Sequence, residues 1–198
     1  MPREQLREDV AQKRLNFQIA RRFADSRSFV FLDESGAKTN MTRLYGWSDQ
    51  SKRCIDYTPH GHWKTSTMIS AIRSNQVIEE ATFLIDDAMT GERFLGYVQN
   101  HLAPNLKSGE IVVMDNLAAH KCAEIRETIE SVDCELWYLP PYSPDLNPIE
   151  KLWSKVKAYL RRAVLRDWHQ ITKAVKDAIR AVSPKECRNY FVSCGYSM

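Results

Sequence analysis

Three acidic residues of this sequence stand at the ends of short, strongly patterned segments. Asp33 closes the apolar run of "SFVFLDES", Asp115 closes that of "GEIVVMDN", and Glu150 follows the four prolines of "PPYSPDLNPIEKLW". Carboxylates that converge without a positive partner repel one another and lose hydration, and a divalent cation is the usual compensation. Oxygen-only ligands favour Mg²⁺ or Mn²⁺ over Zn²⁺. The three acids therefore predict a site for one of these ions, provided that the fold brings them together.

The first half of the chain predicts strands joined by turns. An imperfect apolar stripe predicts a helix over residues 3–24, and the periodicity then changes to that of strands. Strands are expected at 28–35, 43–48, 65–73 and 77–85. The connections are short and rich in turn residues, which favours an antiparallel meander.

In the second half, strands alternate with helices. The predicted elements are a helix at 91–106, a strand at 111–114, a helix at 121–130, a strand at 134–140 and a helix from Pro148. This alternation implies parallel pairing through right-handed crossovers. The expected fold class is α/β, with three antiparallel strands followed by parallel strands and helices on both faces. If the strands before Asp33 and Asp115 are neighbours, both acids lie at the sheet edge where α/β folds place their sites.

The start of the last of these helices has two interpretations. With Asn147 as the N-cap and Pro148 as the first helical residue, Glu150 stands at the third position, where its carboxylate can bond back to the backbone N–H of the cap. The same position also directs the carboxylate out of the helix start, toward the sheet edge where a metal ion would bind. The sequence leaves both roles open.

Composition places the chain among ordinary globular proteins. Hydrophobic residues make up 43% and charged residues 27% of the 198 residues, which excludes disordered, collagen-like and disulfide-rich miniprotein classes. No apolar run approaches the roughly 20 residues of a membrane span, and the N-terminus lacks the apolar core of a signal peptide. We therefore expect a cytoplasmic protein without a membrane partner.

Positive charge is concentrated in two segments. Residues 1–27 hold seven basic and four acidic residues, a local excess equal to the net charge of +3 of the whole chain. In residues 149–166, six basic residues accompany a single acid. A basic helix is more often a solvated face than a nucleic-acid contact, unless a nuclease-like site lies beside it. On that condition, Lys151, Lys155 and Arg162 are candidate DNA contacts.

Other residues able to bind metal are weaker candidates. His60 and His62 have the spacing that places two side chains on one face of a strand, but no third nitrogen or sulfur ligand is near. A surface or DNA-facing loop is therefore favoured for them. The five cysteines have no CxxC spacing, which argues against a zinc ribbon and against a disulfide framework.

Three segments taken together carry a family resemblance. "FVFLDESGAKTNMTRLYG", "IVVMDNLAAHK" and "YLPPYSPDLNPIEKLW" resemble, in this order, the catalytic region of bacterial insertion-sequence transposases related to the Tc/mariner elements. These belong to the DDE transposase and integrase superfamily. The resemblance runs from about residue 28 to the C-terminus and implies an RNase H-like fold. It implies that Asp33, Asp115 and Glu150 are the catalytic, metal-binding acids.

The resemblance also implies a reaction and its partners. Two Mg²⁺ or Mn²⁺ ions, about 3.5 to 4 Å apart, would support cleavage at transposon ends and transfer of the freed strand into target DNA. DNA is the expected partner, and a homodimer is expected in the DNA complex. Asn116, His120 and Asn147 stand beside the matched acids and are candidates for supporting the ligands.

The expected domain organisation is a basic helical arm or linker at 1–27 and the catalytic domain at 28–198. Full-length relatives carry helix-turn-helix modules before the catalytic domain, and residues 1–27 are too few to hold them. The chain therefore resembles the second-frame product of an element that encodes a helix-turn-helix protein in an upstream frame, or a truncated remnant. The alternative function is a non-catalytic or regulatory fragment that assembles with a full-length transposase.

Overall fold

Five strands form one mixed sheet in the order β3-β2-β1-β4-β5. The structure is a computed structural model that describes residues 3–43, 45–57, 64–117, 120–163, 165 and 167–198. The strands are β1 (Phe29–Lys38), β2 (Thr65–Ile72), β3 (Val77–Ile85), β4 (Ile111–Met114) and β5 (Glu135–Tyr138). β1, β2 and β3 are antiparallel, whereas β4 pairs parallel with β1 and β5 pairs parallel with β4. The predicted α/β arrangement of three antiparallel strands followed by parallel strands is confirmed.

In the residues that the structure describes, six α-helices cover the two faces of this sheet. They are α1 (Glu8–Phe23), α2 (Gly91–Tyr97), α3 (Ala123–Glu130), α4 (Ile149–Ala163), α5 (Trp168–Arg180) and α6 (Pro184–Ser193). A π-helical turn and a 3₁₀ turn extend α2, so the helix predicted at 91–106 is present with a change of pitch. Among the helices of the described ranges, none combines the length and apolar character that crossing a bilayer requires.

Alternation along β1 divides the interior into two cores. Phe29 and Phe31 belong to the core beneath α4, α5 and α6, whereas Val30 and Leu32 belong to the core beneath α2 and α3. All four side chains are at most 1% exposed. A strand covered on both faces is apolar at every position, which explains the unbroken hydrophobic run before Asp33.

Helix α1 packs against the same interior as the rest of the chain. Phe17 lies in the core beneath α4 and makes an edge contact with Trp137, with 6.2 Å between ring centroids. Val10 is also buried, at 1% exposure. The division of the chain at residue 27 stays a prediction, but α1 contributes buried side chains to the layer that carries α4.

The prediction of a strand at 43–48 is wrong. Arg43 and residues 45–48 are irregular, and Tyr45 and Trp47 are 92% and 101% exposed. The segment has aromatic residues typical of strands, but both edges of β1 are already occupied by β2 and β4. β1 instead continues to Lys38, so Asp33 lies inside the strand and not at its end. His60 and His62 lie outside the described residues.

Candidate active site

The parallel register of β1 and β4 brings two of the predicted acids to one edge of the sheet. Phe31 pairs with Val113, so the positions two residues further along each strand are Asp33 and Asp115. β4 ends at Met114, whereas β1 continues and pairs Asp33 with Ser70 of β2. Asp115 therefore follows the last residue of β4, whereas Asp33 lies within β1, the neighbouring strand, at the same level of the sheet.

The third acid reaches the same cleft from the start of α4. A 3₁₀ turn at Pro144–Leu146 precedes α4, and Glu150 lies exposed on its first turn. Asp33, Asp115 and Glu150 line one cleft, together with the proline-rich loop. In the described part of the chain, no three His, Cys, Asp or Glu side chains converge closely enough to hold one metal ion. The acids thus share a cleft without forming a closed coordination sphere.

Asp33 lies in an environment that disfavours its charge. Burial raises the pKa of its carboxyl group to about 7; the backbone N–H of Glu34 lowers it, and the negative charges of Glu150 and Asp115 raise it further. The indole Nε1 of Trp153 has no hydrogen bond of normal geometry in the described ranges, yet its N–H is close enough to lower the pKa of Asp33. The negative charges of Glu150 and Asp115 are therefore close enough to disfavour ionisation of Asp33.

His120 connects two carboxylates from opposite sides. Its Nδ1 lies 2.6 Å from Oδ1 of Asp115 and its Nε2 lies 3.1 Å from Oε1 of Glu34. The ring stacks on Phe94 with 4.1 Å between centroids and is 4% exposed. Burial lowers the pKa of His120, but the hydrogen bonds and charges of Asp115 and Glu34 raise it to about 9. The imidazolium therefore fixes the orientation of Asp115.

The capping interpretation of Asn147 is wrong. α4 begins at Ile149, and the side-chain Oδ1 of Asn147 has no hydrogen-bond partner in the described ranges. No hydrogen bond from a backbone N–H to the Glu150 carboxylate is present in those ranges either. Asn147 is 4% exposed and lines the cleft, where its oxygen is a buried acceptor without a donor. Asn116 is exposed and lines the same cleft.

These residues fit a hard divalent cation by their chemistry. The side chains that line the cleft offer oxygen ligands: the three carboxylates, the amides of Asn116 and Asn147 and the hydroxyls of Tyr142 and Ser143. Neither a cysteine nor a histidine is among the described residues of this lining. Oxygen ligands of this kind suit Mg²⁺ or Mn²⁺. A cation would also relieve the repulsion that Glu150 and Asp115 impose on Asp33. The donor set, although not closed around one point, is thus appropriate for the predicted ion.

The loop before α4 is held by the N-terminal part of the chain. Arg14 donates to both carboxylate oxygens of Asp145, at 2.9 and 2.6 Å, and to Oγ of Ser143 at 2.7 Å. Nε2 of Gln5 donates to the carbonyl oxygen of Tyr142 at 2.6 Å and to Asp145 at 3.2 Å. Asp145 therefore faces α1 and is absent from the lining of the acid cleft.

The three candidate DNA contacts on α4 differ in their surroundings. Lys151 and Arg162 are exposed, and Arg162 lines a groove with Arg43 and Arg161. Nζ of Lys155 instead donates to Glu186 at 2.7 Å and to the carbonyl oxygen of Ala181 at 2.8 Å. Lys155 is thus engaged within the fold, whereas the other two present their charges to solvent.

Sequence reasoning missed several residues that shape this site. Glu34, Trp153, Gln5 and Arg14 all act on the acids or on their loop, and none was a candidate. The strand parity of β1 could have indicated Glu34, since it must lie on the face opposite Asp33. The contacts of Gln5 and Arg14 join residues more than a hundred positions apart, for which a single sequence carries no signal.

A mixed five-stranded sheet with acids at the β1 and β4 edge and at a later helix start defines an RNase H-like catalytic domain. The chain belongs to the family described as DDE superfamily endonuclease, which matches residues 28–172.

The chain is similar to known transposases in sequence and in fold. The transposase of the transposable element Tcb2 from Caenorhabditis briggsae is 31% identical over an alignment of 127 residues that covers 57% of this chain and 46% of that protein. The Mos1 mariner paired-end complex with Mn has a TM-score of 0.73 at 17% identity, over 94% of this chain and 60% of that chain. The Mos1 catalytic domain with Raltegravir and Mn has a TM-score of 0.63 at 16% identity, over 98% of both chains.

These comparisons confirm the RNase H-like fold and the kinship with Tc1/mariner-type DDE transposases. The chain spans about half the length of the curated relative that it matches. Bacterial origin and the second-frame product stay predictions from the sequence.

Proposed function

We propose that this chain is the catalytic part of a transposase that cleaves DNA strands at transposon ends and transfers them into target DNA, in a reaction dependent on a divalent metal. The observation that carries the proposal is the shared cleft of Asp33, Asp115 and Glu150 in a domain of the DDE endonuclease family. The three acids would hold Mg²⁺ or Mn²⁺, as two ions. When bound, such ions lower the pKa of the attacking water and stabilise the leaving oxygen.

The chain's own residues prepare this cleft. His120 bonds one oxygen of Asp115 and so limits the rotation of that carboxylate. The indole of Trp153 lies against the Asp33 carboxylate, and the buried oxygen of Asn147 adds a further acceptor at the cleft wall. The protein thereby supplies position and charge for phosphoryl transfer, without a covalent intermediate on any side chain.

Further parts of the proposal concern partners and context. We propose a homodimer in the complex with transposon ends, and the product of a bacterial insertion sequence that takes its end-reading helix-turn-helix module from an upstream frame. The solved complex with a left transposon end belongs to the Mos1 transposase and supports DNA as the partner here by family likeness. All five cysteines are free, which suits a reducing cytosol.

The test is cleavage of a duplex that carries the element's terminal sequence, in Mg²⁺ and in Mn²⁺. Asp33→Asn, Asp115→Asn and Glu150→Gln should reduce cleavage and strand transfer to background, because each removes a negative charge that a hard cation requires. Asp145→Asn is the matched control, since it removes a carboxylate of the same loop that faces Arg14 and not the cleft. It should keep most of the activity at temperatures well below unfolding, because Gln5 and Arg14 still hold the loop through Tyr142 and Ser143.

Stability separates a catalytic role of Glu150 from a structural one. Its side chain is exposed and does not cap α4. The free energy of unfolding of Glu150→Gln should therefore lie within about 1 kcal/mol of the wild-type value. If Glu150→Gln cleaves normally while Asp145→Asn is inactive, the third ligand is misassigned. A wild-type chain that never cleaves but associates with a full-length transposase would instead establish the regulatory-fragment alternative.

A further inference from the structure

A second cleft lies at the end of the sheet opposite the acids. It is formed by the segment before β1, the turn between β2 and β3, the segment before β4 and the start of α6. The residues of its lining that matter here are Arg27, Arg73, Ser74, Lys107, Lys185 and Arg188. Glu110 and Asp115 flank β4 at its two ends, so at about 3.3 Å per residue the two clefts are separated by roughly 16 Å of sheet.

This second cleft, termed the basic cleft, concentrates positive charge. Five basic and two acidic residues line it, a local charge of +3 that equals the net charge of the whole chain. Both acids are already paired, Asp25 with Arg27 and Glu110 with Arg73. The side chains of three further cations, in the part of the chain that the structure describes, have no acidic partner. These are Lys107, Lys185 and Arg188.

The floor of the basic cleft is rigid. Arg73 is 5% exposed, and its guanidinium donates to Glu110 at 2.5 and 2.8 Å and to the carbonyl oxygen of Asn105 at 2.7 Å. Oε2 of Glu110 also accepts from the backbone N–H of Lys107 at 2.8 Å, which fixes the loop that carries this lysine. The cationic loop and the β2–β3 turn are therefore held together by a buried ion pair.

Ser74 adds a polar group to this floor. The residue is 8% exposed and lines the basic cleft, and its hydroxyl makes no hydrogen bond within the described ranges. The hydroxyl oxygen is not fully buried, so it is available to a group that binds in the cleft. A hydroxyl donor beside Lys107, Lys185 and Arg188 is a combination that recognises phosphate oxygens.

We propose that the basic cleft binds phosphodiester groups of duplex DNA, at a segment separate from the one at the acid cleft. The proposal rests on the proposed function for the identity of the polymer, whereas the phosphate chemistry follows from the lining residues. Duplex DNA is favoured over a free phosphate because the unpaired cations are exposed and come from two segments, the loop before β4 and α6. This arrangement suits successive phosphates better than one enclosed anion.

The test measures binding of a labelled duplex of random sequence to the full chain as a function of salt. The triple variant Lys107→Ala/Lys185→Ala/Arg188→Ala should raise Kd about tenfold or more at about 0.1 M salt, and lower the slope of log K against log salt by roughly 2 to 3. The matched control Lys13→Ala/Lys173→Ala/Lys176→Ala removes the same charge from exposed positions of α1 and α5. It should leave the slope within about 0.5 of the wild type.

Ser74→Ala tests the site without changing any charge. It should raise Kd by about two- to fivefold and leave the salt slope unchanged, as expected for one lost hydrogen bond. Equal effects of the two triple variants would overturn the proposal in favour of general electrostatic attraction. A further contrary result is that orthophosphate stabilises the wild type against heat but not the basic-cleft triple variant, while the two bind duplex equally well. That result would assign the cleft to a small phosphate ligand and would also overturn the proposal.

The two proposals fail separately. A wild-type chain that binds duplex through the basic cleft but never cleaves would contradict the catalytic proposal alone. Cleavage that depends on Asp33 and Glu150, together with duplex affinity unaffected by the basic-cleft variants, would contradict only the second DNA contact.

Discussion

The contact between Arg14 and Asp145 provides the most direct test of how the loop before α4 is held. Arg14 is mostly buried, with a side-chain exposure of 12%, whereas Asp145 is 47% exposed. Asp145→Asn keeps the size of the side chain but removes its charge. Arg14 then remains in a largely desolvated place with a neutral partner.

The expected cost follows from the geometry. A hydrogen bond between charged groups contributes about 1.5 to 3 kcal/mol, and the half-exposed position of Asp145 reduces this by solvent screening. Some hydrogen bonding survives, because the asparagine oxygen can still accept from Arg14. We therefore expect Asp145→Asn to lower the free energy of unfolding by about 1 to 2 kcal/mol at neutral pH.

The lowered pKa of Asp145 determines the pH range over which the ion pair stabilises the fold. The hydrogen bond from Arg14 is the main cause that holds the pKa of Asp145 below its ordinary value, against an opposing effect of burial. A lowered folded-state pKa means that the stabilisation is complete above the unfolded value of about 3.9 and is lost as pH falls through the folded value. The difference between wild type and Asp145→Asn should thus be constant from about pH 5 to 8 and disappear in acid.

Urea unfolding followed by tryptophan fluorescence at several pH values measures this difference. Asp9→Asn is the matched control, because Asp9 pairs with Arg7 on the surface, where both side chains are more than half exposed. Asp9→Asn should leave the free energy of unfolding unchanged within experimental error. An Asp145→Asn protein as stable as the wild type at pH 7, or one whose deficit persists at the acid limit, would refute the argument that this ion pair holds the loop.

Two further predictions concern the metal and the buried ion pair. Mg²⁺ or Mn²⁺ should raise the melting temperature of the wild type by mass action and leave that of Asp33→Asn nearly unchanged, as measured by scanning calorimetry; a response to Zn²⁺ alone would contradict the oxygen-ligand site. Glu110→Gln should lower the free energy of unfolding by about 3 kcal/mol, because it leaves Arg73 buried without a counter-charge. Urea unfolding measures this decrease. A decrease no larger than the one caused by replacing an exposed acid would contradict the prediction.

The sequence was most informative where one local rule decides the structure. The strand predicted at 111–114 has those same bounds, because a strand buried on both faces must be apolar at every position. The placement of Asp33 beside Asp115 was predicted on the condition that their strands are neighbours, and the parallel register of β1 and β4 meets that condition.

Prediction failed where the outcome depends on a partner elsewhere in the chain. The segment 43–48 has strand-like residues, but a strand also needs a partner, and its neighbour in sequence, β1, is already paired on both sides. Asn147 precedes a helix, as a cap does, but its loop is fixed by Gln5 and Arg14 from the far end of the sequence. Local propensity cannot report such constraints, since they arise only after α1 packs on the domain.

The two faces of β1 bring several carboxyl groups to the acid cleft, so the cleft alone is unfavourable for binding a polyanion. Asp33 faces Trp153 of α4, and Glu34 faces His120 on the other layer, so carboxylates from both layers meet at one edge. With Asp115 and Glu150, four carboxyl groups stand near this edge, and the imidazolium of His120 offsets one of them. Such a cleft repels DNA phosphates unless metal ions are bound. Under the proposed function, affinity for DNA must therefore come from positive surfaces outside the acid cleft, and the basic cleft and the exposed cations of α4 are placed to supply it.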